Sequence, residues 1–205
     1  DEPQVPTWND LPPLDPQLID LMSQAFLESN GEIKAVLRVM FNSDSFKNAR
    51  FKKVKSPTEL VVGILKLGGE YVHFRPGLAK YAEETTVVMG QKLLDPPTVE
   101  GWHTGKEWID GGNLTERVNF AVGEVGKGNS PGIKRVVNRI IQSDALGTAE
   151  SFVNSTLDAI GPIDVEKSTR EALLKFASES DNDDDRSRIV RMLQLIVSTP
   201  DYQYA

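Results

Sequence analysis

Apolar residues recur at spacings of three and four positions along most of this chain, which is the period of an α-helix. Strand-like alternation of apolar and polar residues is almost absent. We therefore predict an all-α fold, a multi-helix bundle of about nine helices that carries one long loop rich in glycine, proline and tryptophan. Asp15 and Pro16 mark the predicted start of the first helix, with Asp15 as its N-cap. Its apolar stripe consists of Leu18, Leu21, Met22, Ala25 and Phe26. A later stripe consists of Leu78, Tyr81, Ala82, Thr85, Val88 and Met89.

The clearest predicted helix begins after Ser56, which precedes Pro57 at the first helical position. Glu59 follows the serine by three residues and completes a capping box, in which each side chain binds the other residue's backbone N–H. Residues 60–67 are apolar on nearly every side, so we expect this helix to be the central buried one. A second strongly apolar helix is predicted over residues 189–197.

Glycine and proline divide the chain into segments. We predict an extended N-terminal segment over residues 1–14 and a helical core over 15–122, with the long loop at 91–113. Residues 123–132 hold four glycines and a proline, and we expect them to form a connector. Residues 133–205 are then a C-terminal helical extension of the same domain.

Composition narrows the classes of partner. The chain is 39% hydrophobic and 26% charged, as in ordinary globular proteins. Its net charge of −7 argues against nucleic acid as a partner. No apolar run approaches the roughly 18–20 residues that a membrane helix needs, so we predict no membrane insertion. The absence of cysteine excludes disulfides, thiolate metal sites and a cysteine nucleophile.

The predicted loop contains the candidate binding residues, because Trp102 and Trp108 lie there among glycines and prolines. On one interpretation the two indoles form a platform for a sugar or another chain-like ligand, with polar contacts from His103, Lys106 and Glu107. On the other, the rings are plugs that pack the loop onto the helices, since each indole buries about 150–250 Å². The burial argument favours the plugs.

The sequence gives little support for catalysis or metal binding. There is no P-loop and no dinucleotide-binding glycine motif. Only two histidines occur, and neither lies in a paired metal-ligand spacing. We therefore predict no metal and no cofactor, and the sequence leans against an enzyme without deciding the question. The acidic run at 181–185 lacks the glycine and glutamate of a calcium loop and is expected to cap the following helix.

Three stretches together resemble one known family: "KVKSPTELVVGILKLGG", "MGQKLLDPPTVEGWHTGKEWIDGGNLTERVNFA" and the closing "LIVSTPDYQYA". They are similar to the C-terminal half of the bacterial domain-of-unknown-function family 1800. The similarity runs from about residue 15 to 203 and is weak over 123–180. The family-motif positions that we take from it are Ser56, Pro57, Glu59, Gly90, Gln91, Pro96, Pro97, Gly101, Arg117 and Asn119.

The resemblance implies a helical protein exported to the periplasm or cell surface, with no agreed activity and no catalytic residues to carry over. Family members are usually longer, and this chain begins without Met or a signal sequence, so we expect an N-terminal half to be missing. Our first functional hypothesis is a non-catalytic scaffold or protein-interaction module that docks on a protein partner or on that half. The alternative is a carbohydrate-binding or polymer-degrading component that uses the tryptophan loop. The sequence leaves the oligomeric state open.

Overall fold

A computed structural model describes residues 13–69, 73, 75–102, 104–179 and 184–204. The predicted all-α fold is confirmed, since this part of the chain contains ten α-helices and no strand. Nine have seven residues or more, and the tenth is the short α3, too brief for a periodic pattern to reveal. The helices are α1 (Pro16–Glu28), α2 (Ile33–Asn42), α3 (Asp44–Lys47), α4 (Pro57–Gly68), α5 (Pro76–Val88), α6 (Gly111–Gly126), α7 (Pro131–Gln142), α8 (Ala149–Ile160), α9 (Lys167–Glu179) and α10 (Asp185–Ser198).

The chain divides into two compact units, Asp1–Lys53 and Val54–Ala205. The predicted segment 1–14 lies almost wholly outside the described residues. The predicted core over 15–122 and the extension over 133–205 stay predictions.

In the first unit, α1 and α2 pack against each other as a helical hairpin, and α3 follows α2. The predicted cap of α1 is confirmed, because the Asp15 carboxylate accepts a hydrogen bond from the Leu18 N–H at 3.0 Å. None of the three helices contains a buried residue. The large apolar side chains exposed on them are Ile19, Leu21, Phe26, Leu27, Ile33, Leu37, Phe41 and Phe46.

The second unit contains the hydrophobic core. Its helices α6 and α10 pack against each other, and α4 packs against α6. One side of α4 is buried in this core, whereas Val62, Gly63 and Lys66 are exposed. The predicted capping box is present: the Ser56 N–H donates to Glu59 Oε2 at 2.7 Å, while the Glu59 N–H donates to Ser56 Oγ at 3.3 Å. The residues of α4 and α10 in this core are Leu60, Val61, Ile64, Leu65, Ile189, Met192, Leu193, Ile196 and Val197. Among the described residues, no helix combines the length and apolarity needed to cross a membrane.

The glycine-rich segment 123–132 is more ordered than its composition suggests. Helix α6 continues through Gly126 and α7 begins at Pro131, so only residues 127–130 lie between them. The amphipathic face of α6, where Arg117, Ala121 and Val125 are buried, outweighs the low helix propensity of glycine. The acidic run before α10 acts as predicted in its described part, since Asp184 caps that helix by accepting from the Ser187 N–H.

Gly132 marks the closest approach between helices α4 and α7. A Cβ built at this position would lie 1.9 Å from the carbonyl oxygen of Leu67 and 2.6 Å from the carbonyl carbon of Gly68. Real Cβ atoms do not approach backbone so closely, and backbone cannot rotate away as a side chain can. Glycine is therefore required here because the C-terminus of α4 touches the N-terminus of α7.

We expect Gly132→Ala to lower the free energy of unfolding by about 3 kcal/mol, the upper end of overpacking costs, because the two helix ends must separate. Urea denaturation monitored by circular dichroism measures this change. The matched control is Gly123→Ala, where a Cβ meets nothing within 4 Å. Since Gly123 lies inside a helix, the control should raise stability by about 0.5–1 kcal/mol. Equal effects of the two substitutions would contradict the close approach.

Candidate functional site

The tryptophan loop, predicted at residues 91–113, is closed by hydrogen bonds between its own residues. The Trp102 indole N–H donates to the Lys92 carbonyl at 3.0 Å, and its ring is half-buried. Thr98 and Gly101 form a tight turn in which the Thr98 hydroxyl donates to the Gly101 carbonyl at 3.2 Å. His103, one of the predicted binding residues, lies outside the described residues.

Trp108 lies in a short 3-10 helix, Gly105–Ile109, directly before α6, and only 5% of it is exposed. Its ring packs beside Gly90, whose φ of 92° belongs to the left-handed region that favours glycine. The Asn113 side-chain amide donates to the Glu107 carbonyl at 3.4 Å and helps to fix this turn. Trp108 therefore anchors the end of the loop, and its ring does not offer a flat face to solvent.

A shallow concavity of about 500 Å³ opens beside this turn. It is lined by Gly90, Lys106, Glu107, Trp108, Asp110 and Asn113. Three of the five predicted binding residues thus meet at one surface, with Lys106 and Glu107 exposed at its rim. Trp102 is not among the residues that line it, so the two indoles do not form a joint platform there.

The family-motif residues converge at a different place, the N-terminus of α4. The Gln91 side-chain carbonyl accepts hydrogen bonds from both the N–H and the hydroxyl of Thr58, at 2.9 and 2.7 Å. Gln91 follows directly after Gly90, where α5 has ended, and is itself buried. It supplies an acceptor for one of the N–H groups that a helix start leaves without a partner. This contact ties the start of the loop to α4.

Arg117 of α6 reaches the same region and is fully buried. Its Nε–H donates to the side-chain oxygen of Gln203 at 2.8 Å, and its Nη2 donates to the Lys55 carbonyl at 2.7 Å. These two bonds join α6, the residue before the α4 cap and the C-terminal segment. We call the group formed by Lys55, Ser56, Thr58, Glu59, Gln91, Arg117 and Gln203 the α4 joint.

The C-terminal segment is fastened to the α4 joint along its backbone. The Lys55 N–H donates to the Gln203 carbonyl at 2.8 Å, and Val54 forms an isolated antiparallel bridge with Tyr204. The Lys55 ammonium donates to the Tyr202 carbonyl at 2.7 Å and lies 4.1 Å from the centroid of the Tyr202 ring. Residues near the end of the chain therefore complete the surroundings of α4.

Burial sets the electrostatics of this joint. Desolvation, with a smaller contribution from the nearby Arg117, lowers the pKa of Lys55 from 10.5 to about 8. Burial also lowers the pKa of Arg117 to about 10. Glu59 opposes both shifts because its negative charge favours the two cations. The capping glutamate is thus also a counter-charge for the joint.

Four other motif positions lie outside the α4 joint, in a turn or on the surface. Gly101 has a φ of 111° and closes the turn that begins at Thr98. Pro96, Pro97 and Asn119 are exposed, and nothing in the described contacts explains their place in the motif.

One cluster escaped sequence reasoning, in which Tyr81 was counted only as part of an apolar stripe. The Tyr81 hydroxyl donates to Glu124 Oε1 at 2.7 Å, and the Lys127 ammonium donates to the same oxygen at 2.6 Å. Burial and the Glu124 contact raise the pKa of Tyr81 to about 12. Glu124 and Lys127 lie three positions apart, at a spacing where helix side chains meet, but Tyr81 lies 43 positions from Glu124 and no local spacing indicates that contact.

Within the described ranges, no group of three or more His, Asp or Glu side chains is placed to hold a metal ion. The described part of the chain is all-helical, and the motif residues Ser56, Glu59, Gln91 and Arg117 belong to the α4 joint. A family model described as "Protein of unknown function (DUF1800)" matches residues 8–204, so the chain belongs to that family. No curated protein and no solved structure matches the chain.

We expect Arg117→Met to lower the free energy of unfolding by about 2–4 kcal/mol, because two buried acceptors, on Lys55 and Gln203, lose their donors. Urea denaturation gives the value. The control is Arg139→Met, an exposed arginine in the last turn of α7, which should cost less than about 1 kcal/mol. A cost for Arg117→Met as small as that of the control would contradict the role of the joint.

We also predict that stability rises with pH between about 8 and 9.5. The folded-state pKa of Lys55 is about 8 and lies below its ordinary value of 10.5, so in this window the unfolded state binds more protons than the folded state. The tyrosines with shifted pKa values, Tyr81 and Tyr202, titrate above this window.

Denaturation curves of the native chain and of Lys55→Met across this range test the prediction. The variant should show a smaller rise of the free energy of unfolding with pH. Lys134→Met, which removes an exposed lysine of α7, controls for the loss of one charge and should keep the native slope. Identical slopes for the native chain and Lys55→Met would show that the Lys55 amine is not desolvated.

Proposed function

We propose that this chain is a non-catalytic helical scaffold that docks on another protein through the apolar face of α1–α3. The partner on which it docks is a separate protein or an N-terminal half of the same polypeptide. The proposal includes export to the periplasm or cell surface, which rests on the family resemblance of the sequence motifs.

The observation that carries the proposal is that the apolar side chains on the helices of the first unit are not buried. Its large apolar side chains repeat at helical spacing, yet no residue of these three helices is buried. Burying one Leu, Ile or Phe side chain stabilises a protein by about 1.5–3 kcal/mol. Large exposed apolar patches mark interaction surfaces in proteins, and eight large apolar side chains of these helices are exposed.

The arrangement of polar residues supports a structural role. Two motif residues with buried polar side chains, Gln91 and Arg117, form hydrogen bonds within the α4 joint, although Arg117 Nη1 has no partner among the described residues. Lys55, whose lowered pKa would suit a nucleophile, donates to the Tyr202 carbonyl and lies against the Tyr202 ring. These contacts explain the motif as a device of folding.

The alternative function is binding of a carbohydrate or another polymer at the tryptophan loop. Its support is the concavity of about 500 Å³ with Lys106 and Glu107 at the rim and Trp108 in its wall. Burial of Trp108 speaks against it, because a sugar stacks on an exposed ring face. We therefore rank this function second.

Site-specific photo-crosslinking in the native cells tests the docking proposal. A benzoylphenylalanine placed at Leu27, which is 76% exposed, should yield one discrete crosslinked protein. The same group at Asp158, an exposed position on α8, is the matched control and should yield none. Leu27→Asp should abolish docking while changing the free energy of unfolding by less than about 0.5 kcal/mol, because the side chain is already exposed.

Equal crosslinking at both positions would contradict the proposal, as would a product of twice the chain's mass, which indicates self-association. Cosedimentation with cellulose, chitin and peptidoglycan tests the alternative function, which is polymer binding at the tryptophan loop. We expect the purified chain to stay in solution. Pelleting that is lost in Lys106→Ala and kept in Lys134→Ala would instead establish polymer binding at the loop.

A further inference from the structure

A cleft of about 240 Å³ lies between α5 and α6, on the surface of the second unit. It belongs neither to the tryptophan loop nor to the α4 joint. Its floor includes Met89, which is buried, and its edge includes Val88, which is 60% exposed. The residues that line it are Tyr81, Thr85, Val88, Met89, Glu116 and Phe120.

Two aromatic rings form one wall of this cleft. The ring centroids of Tyr81 and Phe120 are 6.2 Å apart and their planes are tilted by 46°. The bond from the Tyr81 hydroxyl to Glu124 at 2.7 Å fixes the ring. A fixed aromatic wall of this kind loses little conformational entropy when a ligand binds.

The charge of the cleft is negative. Glu116 has no hydrogen bond or ion pair from its carboxylate within the described residues. The nearby Lys127 is already neutralised, because it pairs with Glu124 at 2.6 Å. Lys80, also on α5, pairs with Glu84 at 3.6 Å. A ligand in the cleft therefore meets the Glu116 carboxylate without a counter-ion. It lies beside the Phe120 ring and the Tyr81 ring, and the latter already has the Lys127 ammonium 5.8 Å from its centroid.

The cleft is smaller than the roughly 300–1,000 Å³ of pockets that hold small-molecule ligands. It has room for one long side chain. Lysine and arginine join an apolar stem to a cationic head, and such heads are attracted both to carboxylates and to aromatic faces. The apolar floor, the rings and the carboxylate complement those two parts.

We propose that the α5–α6 cleft binds a lysine or arginine side chain presented by a partner protein. The methylene stem packs against Val88 and Met89, and the charged head lies between the aromatic wall and Glu116. The cleft and the α1–α3 face belong to different units of the chain and are probed by different substitutions, so either proposal can fail alone.

Methyl NMR of the purified chain tests this inference. The probes are the peptides acetyl-Ala-Leu-Lys-Leu-Ala-amide and its arginine version, with norleucine in place of the basic residue as the uncharged control. With ¹³C-labelled methionine, at least one basic peptide should shift the Met89 methyl signal saturably. The signal of Met192, buried in α10, is the internal control and should not move. The norleucine peptide should bind at least about tenfold more weakly, which corresponds to about 1.4 kcal/mol.

Glu116→Gln should weaken binding of the basic peptide about fivefold or more, while Asp158→Asn should leave it unchanged. Both positions are exposed, so neither substitution should affect folding, and the Met192 signal reports whether the fold is kept. The proposal is overturned if neither basic peptide shifts Met89, if norleucine binds equally well, or if Glu116→Gln has no effect.

Discussion

The buried guanidinium of Arg117 is the interaction on which the second unit depends. It is fully buried, and a buried charge is costly unless it is hydrogen-bonded. Its Nε and Nη2 donate hydrogen bonds, while Nη1 has no partner among the described residues. Its partners come from the residue before α4 and from the end of the chain, 62 and 86 positions away. Folding of α6 therefore brings together the start of α4 and the C-terminal segment, and Glu59 supplies both the α4 cap and a counter-charge. Most of the motif positions with buried side chains can be understood through this single joint.

The first unit, in contrast, has no buried residue in its three helices. Asp15 caps α1 and apolar residues recur along both helices, but a helical hairpin alone is too thin to enclose a core. Secondary structure is thus specified locally while burial is left incomplete. A unit of this kind gains stability when it meets another apolar surface, which is why we connect it with docking. In the scaffold function that we propose, the second unit would supply rigidity and the first would supply the binding face.

The sequence predicted the features that depend on residues close together in the chain. The caps at Asp15 and Ser56, and the apolar stripes of most helices, followed from residue type and spacing alone. It left Gly111 and Gly112 in the loop, although the Asp110 cap and the buried face of α6 make them helical. The α4 joint was foreseen only as a set of motif letters, because contacts across 62 to 86 residues depend on the tertiary fold. The α5–α6 cleft was missed for the same reason.

The most direct test of this account is native-state hydrogen exchange of the whole chain. We predict that amides in α4, α6 and α10 exchange only through global unfolding, since the joint holds these helices together. Amides in α1 and α2 should exchange much faster, because no buried contact protects that hairpin in the absence of a partner. Equal protection of the two units would contradict the account, since it would mean that the N-terminal hairpin already has its partner within the chain.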